Sequence, residues 1–282
     1  MNYGKKGVER REQDFNGRSA WKKRAAVLSL KIVLILFLLV MAAAVCGGLY
    51  FVKSVIAAAP DIDAIDAAPS GYMSTVLDTD GNVTAELVAS GSNRVYVTLD
   101  EIPKDLQHAF VAIEDARFYE HHGIDVKGIL RAGVKGLTTG NFSEGASTLT
   151  QQLLKNNVFD GWTEEGKVER VRRKIQEQYL ALELEKKVNK KWIMENYLNT
   201  INLGQNTLGV QAASRRYFGK DVSELTLSEC AVLAAITQNP SKYNPISNPK
   251  QNAQRREKVL NHMLDQGYIS QEAYEGALAD PV

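Results

Sequence analysis

Two carboxylates, Glu114 and Asp115, stand where an apolar run of helical spacing (Leu106, Phe110, Val111, Ile113) gives way to a polar cluster of Arg117, His121 and His122. A carboxylate at such a boundary has the setting that a general base requires. An ordinary surface Glu-Asp pair at a helix end accounts for the same residues. A second group is GASTLTQQLLKN, Gly145 to Asn156, where a glycine-rich approach meets a helix start capped by Ser147 or Thr148. Unpaired amides and the helix dipole attract anions there, Gln151 and Gln152 add neutral donors, and Lys155 adds a positive charge about two turns on. Phosphate or pyrophosphate suits that arrangement, and a plain capped amphipathic helix is the other reading. A third group, Arg173, Lys174 and Glu177, places Arg173 and Glu177 on one helix face, as a surface ion pair would also require.

Other patterns carry less. The strings Asp61 to Asp63 and Asp78 to Asp80 have metal-binding form, but Asp80-Gly81 reads as a turn and Asp61 lies in a linker-like stretch. Cys46 and Cys230 are too far apart in sequence for a disulfide scaffold, and the four histidines include no HExxH pair, so no metal site is assigned. Val158, Phe159 and Trp162 suit either lipid headgroups or core packing.

The elements that would position these groups are mostly helical. Helices are expected from Pro103 to Glu114 with a break at Gly123, from Ser147 or Thr148 onward, and from Thr163 to about Lys187. Further helices fit Lys190 to Asn199, Leu208 to Phe218, Leu227 to Thr237 and Pro249 to Asp265, with Thr226 and Glu229 forming a capping box. Three glycines in Lys135 to Ala146 predict a mobile loop, and Tyr72 to Val97 predicts a small β element turning at Asp80-Gly81.

Of 282 residues, 44% are apolar, and 34 Lys and Arg against 33 Asp and Glu leave a net charge of +1, a composition that folds. That balance hides a split: residues 1–53 hold ten basic and three acidic side chains, so the remainder is net acidic. An acidic body argues against nucleic acid as a partner. Ile32 to Val52 is a 21-residue uncharged run, about 31 Å as a helix, which matches a bilayer core. The basic cluster before it predicts a cytoplasmic N-terminus. The run exceeds a signal-peptide core, so an uncleaved anchor is expected in preference to a cleaved leader. The organisation is then a basic tail over 1–31, an anchor over 32–52, a linker over 53–70 and a domain over 71–282.

Taken in order, the segments resemble the peptidoglycan glycosyltransferase domain, glycosyltransferase family 51, found in monofunctional transglycosylases and in the N-terminal half of class A penicillin-binding proteins. Glu114–Gly123 (EDARFYEHHG) is similar to the first family motif, and Gly145–Asn156 to the second. Arg172–Glu177 (RRKIQE), Lys190–Gly204 (KKWIMENYLNTINLG) and Gln254–Met263 (QRREKVLNHM) are similar to the third, fourth and fifth. Met194 and Asn202 depart from the usual fourth motif.

The resemblance implies a mainly α, lysozyme-like fold with a small β element, preceded by one transmembrane helix and carrying a smaller lobe against the membrane. It implies inverting transfer of a growing glycan from undecaprenyl pyrophosphate to lipid II, with Glu114 as the base. Lys155, Arg173 and the amides near Ser147 and Thr148 would neutralise pyrophosphate, in some members with a divalent cation, Mg or Mn. Glu177, the second catalytic glutamate of the family, would orient Arg173 and Lys155 or help hold a metal at the pyrophosphate, Gln151 and Gln152 would bind substrate, and Asp115, Arg117 and His121 would shape the pocket. The implied partners are lipid II, the growing glycan, the bacterial plasma membrane and other cell-wall synthesis proteins. A lytic muramidase and a non-catalytic cell-wall scaffold are the competing readings, the first disfavoured by Lys155 in an anion-binding helix. Gln266 to Val282 resembles the run that leads onward in class A penicillin-binding proteins. No SxxK, SxN and KTG set is evident, so no peptide crosslinking is expected of these residues.

Overall fold

The computed structural model describes residues 4–16, 18–72, 74–87, 93–140, 145–159 and 166–282. Residues 1–58 and 59–282 form two compact units. In the first, α1 (Lys5–Asn16) and α2 (Arg18–Ala57) are helical. The stretch Trp21–Ala57 is long and apolar enough to cross a membrane. Helix thus extends beyond Ile32–Val52 on both sides, because the flanking Ala, Lys, Arg and Leu are all good helix formers.

The second unit opens with residues expected to be a free linker, but Ala67 is buried in the core and Ile62 and Ile65 pack against it. Asp61 and Asp66 accept the amides of Asp63 and Ala68 at 3.0 Å, so the acidic residues close tight turns. A two-stranded antiparallel ribbon follows, β1 (Ser74–Leu77) with β2 (Val83–Leu87), in a register that pairs Ser74 with Leu87 and is bulged between Val76 and Leu77. Asp78 closes its turn by accepting from the amides of Asp80 and Asn82.

The rest is helical: α3 (Lys104–Glu114), α4 (Val126–Thr139), α5 (Leu149–Val158), α6 (Lys167–Leu184), α7 (Lys190–Thr200), α8 (Val210–Phe218), α9 (Leu227–Ile236), α10 (Pro249–Asp265) and α11 (Gln271–Ala279), with a short 3-10 turn at Val222–Glu224. Three of these differ from expectation. Helix α4 runs through Lys135–Thr139, where a loop is predicted, because apolar residues at helical spacing from Val126 to Leu137 outweigh its glycines, and it stops at left-handed Gly140. Residues 141–144 of the predicted loop lie outside the described residues. Helix α6 starts after Gly166, not at Thr163, which with Trp162 also lies outside them. Helix α11, capped by Ser270, has no counterpart in the sequence reading.

The core has two joined parts. Helices α3, α9 and α10 pack together through Leu106, Phe110, Leu233, Ile236, Leu260 and Met263. Helix α5 packs on α6 and α7 through Leu149, Leu153, Leu180, Ile193 and Tyr197. Helix α9 is apolar nearly all round and buried at Cys230–Ile236, as a central helix must be. The Thr226–Glu229 capping box forms as expected, with both reciprocal bonds present.

Candidate active site

Helix α3 ends at Glu114 because Asp115 leaves helical geometry, with φ −154° and ψ 70°. That turn sends the two carboxylates to different places. Asp115 is buried, accepts the Leu149 amide at 3.0 Å at the start of α5 and contacts His121 Nε2 at 3.0 Å. Glu114 is half-buried: its Oε2 accepts from Gln152 Nε2 at 2.9 Å and its Oε1 from the Thr237 hydroxyl.

The chain that follows them is tied down at Gly123. Its φ of +86° favours glycine, and a Cβ there would lie 2.5 Å from the Ala181 carbonyl oxygen on α6. The Gly123 carbonyl in turn accepts from the Thr148 hydroxyl at 2.8 Å. Thr148 is the N-cap of α5 and also accepts the Gln151 amide. The first two motifs and α6 are thereby locked together.

Beyond that junction lies a cavity of about 420 Å³ lined by Ser147, Gln151, Gln152 and Lys155 from one side and by Arg170, Arg173, Lys174 and Glu177 of α6 from the other. Four cations face one carboxylate. Glu177, only 1% exposed, is held between Arg173 Nη1 and Lys174 Nζ, the latter at 2.9 Å. Lys174 Nζ also donates to Ser147 Oγ at 2.7 Å, joining α6 to the approach to α5. Burial pushes the Lys155 ammonium below its ordinary value. Glu177 opposes that shift, and Lys174 and Arg173 reinforce it.

A second cavity, of about 340 Å³, shares Ser147, Gln152 and Lys155 with the first and adds Glu114, Thr237, Gln238 and Arg255. Glu114 therefore opens into a space adjoining the cation cradle. Gln152 bridges the two spaces, and its Oε1 accepts the Tyr197 hydroxyl at 3.4 Å. Burial raises Tyr197 well above the usual phenol, and the Glu114 and Asp115 charges add to that, so it stays a protonated donor.

The predicted residues thus divide. Glu114, Ser147, Gln151, Gln152, Lys155, Arg173 and Glu177 meet around the two cavities, whereas Asp115, Arg117, His121 and Thr148 line neither. Arg117 instead pairs with Asp125, the N-cap of α4, which raises the guanidinium's pKa. Sequence reasoning grouped Lys174 with Arg173 and Glu177 without giving it a role of its own, and placed no site role on Arg170, Thr237, Gln238 or Arg255. Lys174, three residues before Glu177, and Arg255, inside the fifth motif, carried a usable signal; Thr237 and Gln238 followed a helix end with none.

The donor set suits an anion. Its one carboxylate, Glu177, already serves two cations, and among the described residues no group of three or more His, Cys, Asp or Glu gathers to hold a metal. A divalent cation there would take most of its oxygen ligands from a bound phosphate, with Glu177 the one carboxylate of the cradle at hand.

A carboxylate on a cavity wall beside a cation-lined hollow, on a helical scaffold, is the arrangement that group transfer with an anionic leaving group would use. Residues 80–264 match the transglycosylase family, and the chain belongs to it. It is 41% identical over 277 residues to penicillin-binding protein 1A of Clostridium perfringens (strain 13 / Type A), covering 95% of this chain and 40% of that protein. Against penicillin-binding protein 1A of Aquifex aeolicus it is 42% identical, covering 84% and 31%. Against penicillin-binding protein 1F of Bacillus subtilis it is 45% identical, covering 70% and 26%. The chain thus spans at most 40% of the length of these relatives.

Proposed function

We propose that this chain is a peptidoglycan glycosyltransferase that polymerises lipid II into β-1,4 glycan strands with inversion at the anomeric carbon. Glu114 removes the proton from the 4-hydroxyl of the acceptor sugar. The freed oxygen bonds to the donor's anomeric carbon from the face opposite the leaving group, and the carbon–oxygen bond to undecaprenyl pyrophosphate breaks with its electron pair on the phosphate. That leaving group needs charge neutralisation more than a proton, and Lys155, Arg173 and Lys174 supply it. Gln151 and Gln152 contribute neutral hydrogen bonds, and Glu177 holds two of the cations in place. No step requires a metal.

The observation that carries this reading is the position of Glu114 on the wall of a cavity that shares Ser147, Gln152 and Lys155 with the cation cradle. A muramidase would have no use for four cations. The family relationship supports peptidoglycan as the material acted on, and the apolar α2 fits a protein working on a lipid-linked substrate. Basic residues before the span favour a cytoplasmic N-terminus and an extracytoplasmic domain at the bacterial plasma membrane. Helix α4 adds a second lipid-seeking face: Val126, Leu130, Val134 and Leu137 are exposed along one stripe, with Lys127, Arg131 and Lys135 beside it. Other cell-wall synthesis proteins are the protein partners this setting favours.

Polymerisation of fluorescent lipid II by the purified chain in detergent, with Glu114→Gln and a chelator-treated sample alongside, tests the proposal. A glycan ladder is expected from wild type with and without chelator, and none from Glu114→Gln. A ladder from Glu114→Gln at the wild-type rate sinks the base assignment.

A further inference from the structure

Thr237 follows the last residue of α9, and its hydroxyl oxygen lies 2.5 Å from Glu114 Oε1 and 2.9 Å from the Ala234 carbonyl oxygen. A hydroxyl carries one proton and two lone pairs, so it can donate to only one of these neighbours at a time. While Glu114 is ionised, both neighbours are acceptors. Once Glu114 has taken a proton it becomes a donor, and the requirement at Thr237 reverses. The other group bonded to Glu114 cannot follow that change. Gln152 presents its Nε2, a donor only, and its amide is held in that orientation by the Tyr197 hydroxyl at its Oε1. The charged groups lining the same cavity, Lys155 on α5 and Arg255 on α10, offer no lone pair either. Asp115, next in the chain, has its carboxylate committed to Leu149 and His121.

We infer that Thr237 is a positioning residue for Glu114, a hydroxyl rotor that donates to the carboxylate before proton transfer and accepts from the carboxylic acid after it. In the second setting its own proton turns to the Ala234 carbonyl, which stands ready at 2.9 Å. The inference rests on Glu114 being the base. The acceptor sugar's proton moves to Glu114 as the new glycosidic bond forms. Bonded now to two carbons, the attacking oxygen is an ether oxygen and a weak acceptor, and rotation about the carboxyl C–O bond turns the proton to Thr237, whose hydroxyl accepts more strongly. When the proton passes to solvent, the rotor returns. Neither state leaves a polar atom of the pair unsatisfied, and the carboxyl does not move between them.

The test uses the full chain in detergent, comparing wild type with Thr237→Val, Thr237→Ala, Thr237→Ser and Glu114→Gln. Lipid II polymerisation gives kcat and KM. Infrared difference spectra across the acid limb of activity give the carbonyl band of protonated Glu114, identified by its absence from Glu114→Gln. Valine and alanine are expected to lower kcat about tenfold with KM within about twofold of wild type. They should also move the carboxylic acid band to higher wavenumber as its hydrogen-bond acceptor is lost. Serine should restore both, since it keeps the rotor. A structural role alone would lower thermal stability without moving the band. Wild-type kcat and an unmoved band in both the valine and alanine variants would overturn the inference while Glu114→Gln remains inactive. An active Glu114→Gln would instead remove the base assignment and the inference with it.

Discussion

The Asp115 carboxylate accepts the backbone amide of Leu149 at 3.0 Å across 34 residues of chain, joining the residue after Glu114 to the first turn of α5. An amide at a helix start has no partner within its own helix, and the negative charge is favoured there by the helix dipole. Because Asp115 is buried at 5% exposure and also contacts His121, Asp115→Ala leaves two buried donors without an acceptor. The expected cost is about 2–4 kcal/mol. Thermal unfolding should show a fall of roughly 4–16 °C, given about 2–4 °C per kcal/mol for a domain of this size. A melting temperature equal to wild type would mean that the bond to α5 is not formed in solution.

Lys155 gives a pH prediction. Burial lowers its ammonium below the ordinary lysine value of 10.5, and the positive Lys174 and Arg173 push the same way against Glu177. A lysine with a lowered pKa loses its charge as pH rises through that lowered value, and with it the neutralisation proposed for the leaving pyrophosphate. The alkaline limb of kcat should therefore fall below the pH of an ordinary lysine, and Lys155→Arg should carry the limb upward because guanidinium stays charged. Lys155→Ala should lower kcat/KM about 100-fold or more at neutral pH. An alkaline limb identical in wild type and Lys155→Arg would assign that titration to another group.

Much of this arrangement was legible because it is local. Thr148 capping α5, Pro249 opening α10 and the Thr226–Glu229 box are all fixed within one turn of chain. Glu114 and Lys155 were legible as candidates because each sits where a helical pattern begins or ends. The roles that sequence could not assign depend on distant contacts. Asp115 and Arg117 were expected at the pocket, but the partners that turn them aside, Leu149 and Asp125, follow from how α4 and α5 pack. Thr237 reaches Glu114 across 123 residues, and no local pattern carries that distance. The start of the domain was misread for another reason: a small, acidic, proline-punctuated stretch looks like a linker, yet Ala67 and its neighbouring isoleucines fill a surface of the core.

Whereas the role proposed for Glu114 is to take a proton, Glu177 holds cations. Its oxygens serve Arg173 and Lys174, and the pair with Arg173 is almost wholly buried. Glu177→Gln should destabilise the protein by about 2–4 kcal/mol, since it leaves Arg173 charged and poorly paired. Activity should fall as the cradle loosens, yet a residual rate should remain because Glu114 is intact. Glu114→Gln should leave no measurable rate. Stopped assays with lipid II distinguish the two, and a measurable rate in Glu114→Gln with none in Glu177→Gln would exchange their roles.

Asp125 controls how firmly α4 is attached. Burial alone would raise its pKa, but the bond from Arg117, the Gly128 amide and the Arg117 charge together hold the carboxyl below its ordinary value of 3.8. A carboxyl lowered on folding contributes stability above its unfolded value and loses it as pH falls through the folded one. Asp125→Ala should therefore cost about 1–2 kcal/mol at neutral pH through loss of the cap and ion pair, and the difference from wild type should shrink as pH drops below about 4. The loss should concentrate on α4, whose exposed apolar stripe leaves it little core packing to fall back on. Hydrogen exchange at neutral pH should show faster exchange along Val126–Thr139 in Asp125→Ala while α9 and α10 keep their protection. If the added lipid-seeking face of α4 supports work at a membrane, adding anionic lipid vesicles should restore much of that protection, because the stripe and its lysines then have a surface to bind. Equal exchange along α4 in the two proteins would show that Asp125 does not secure it.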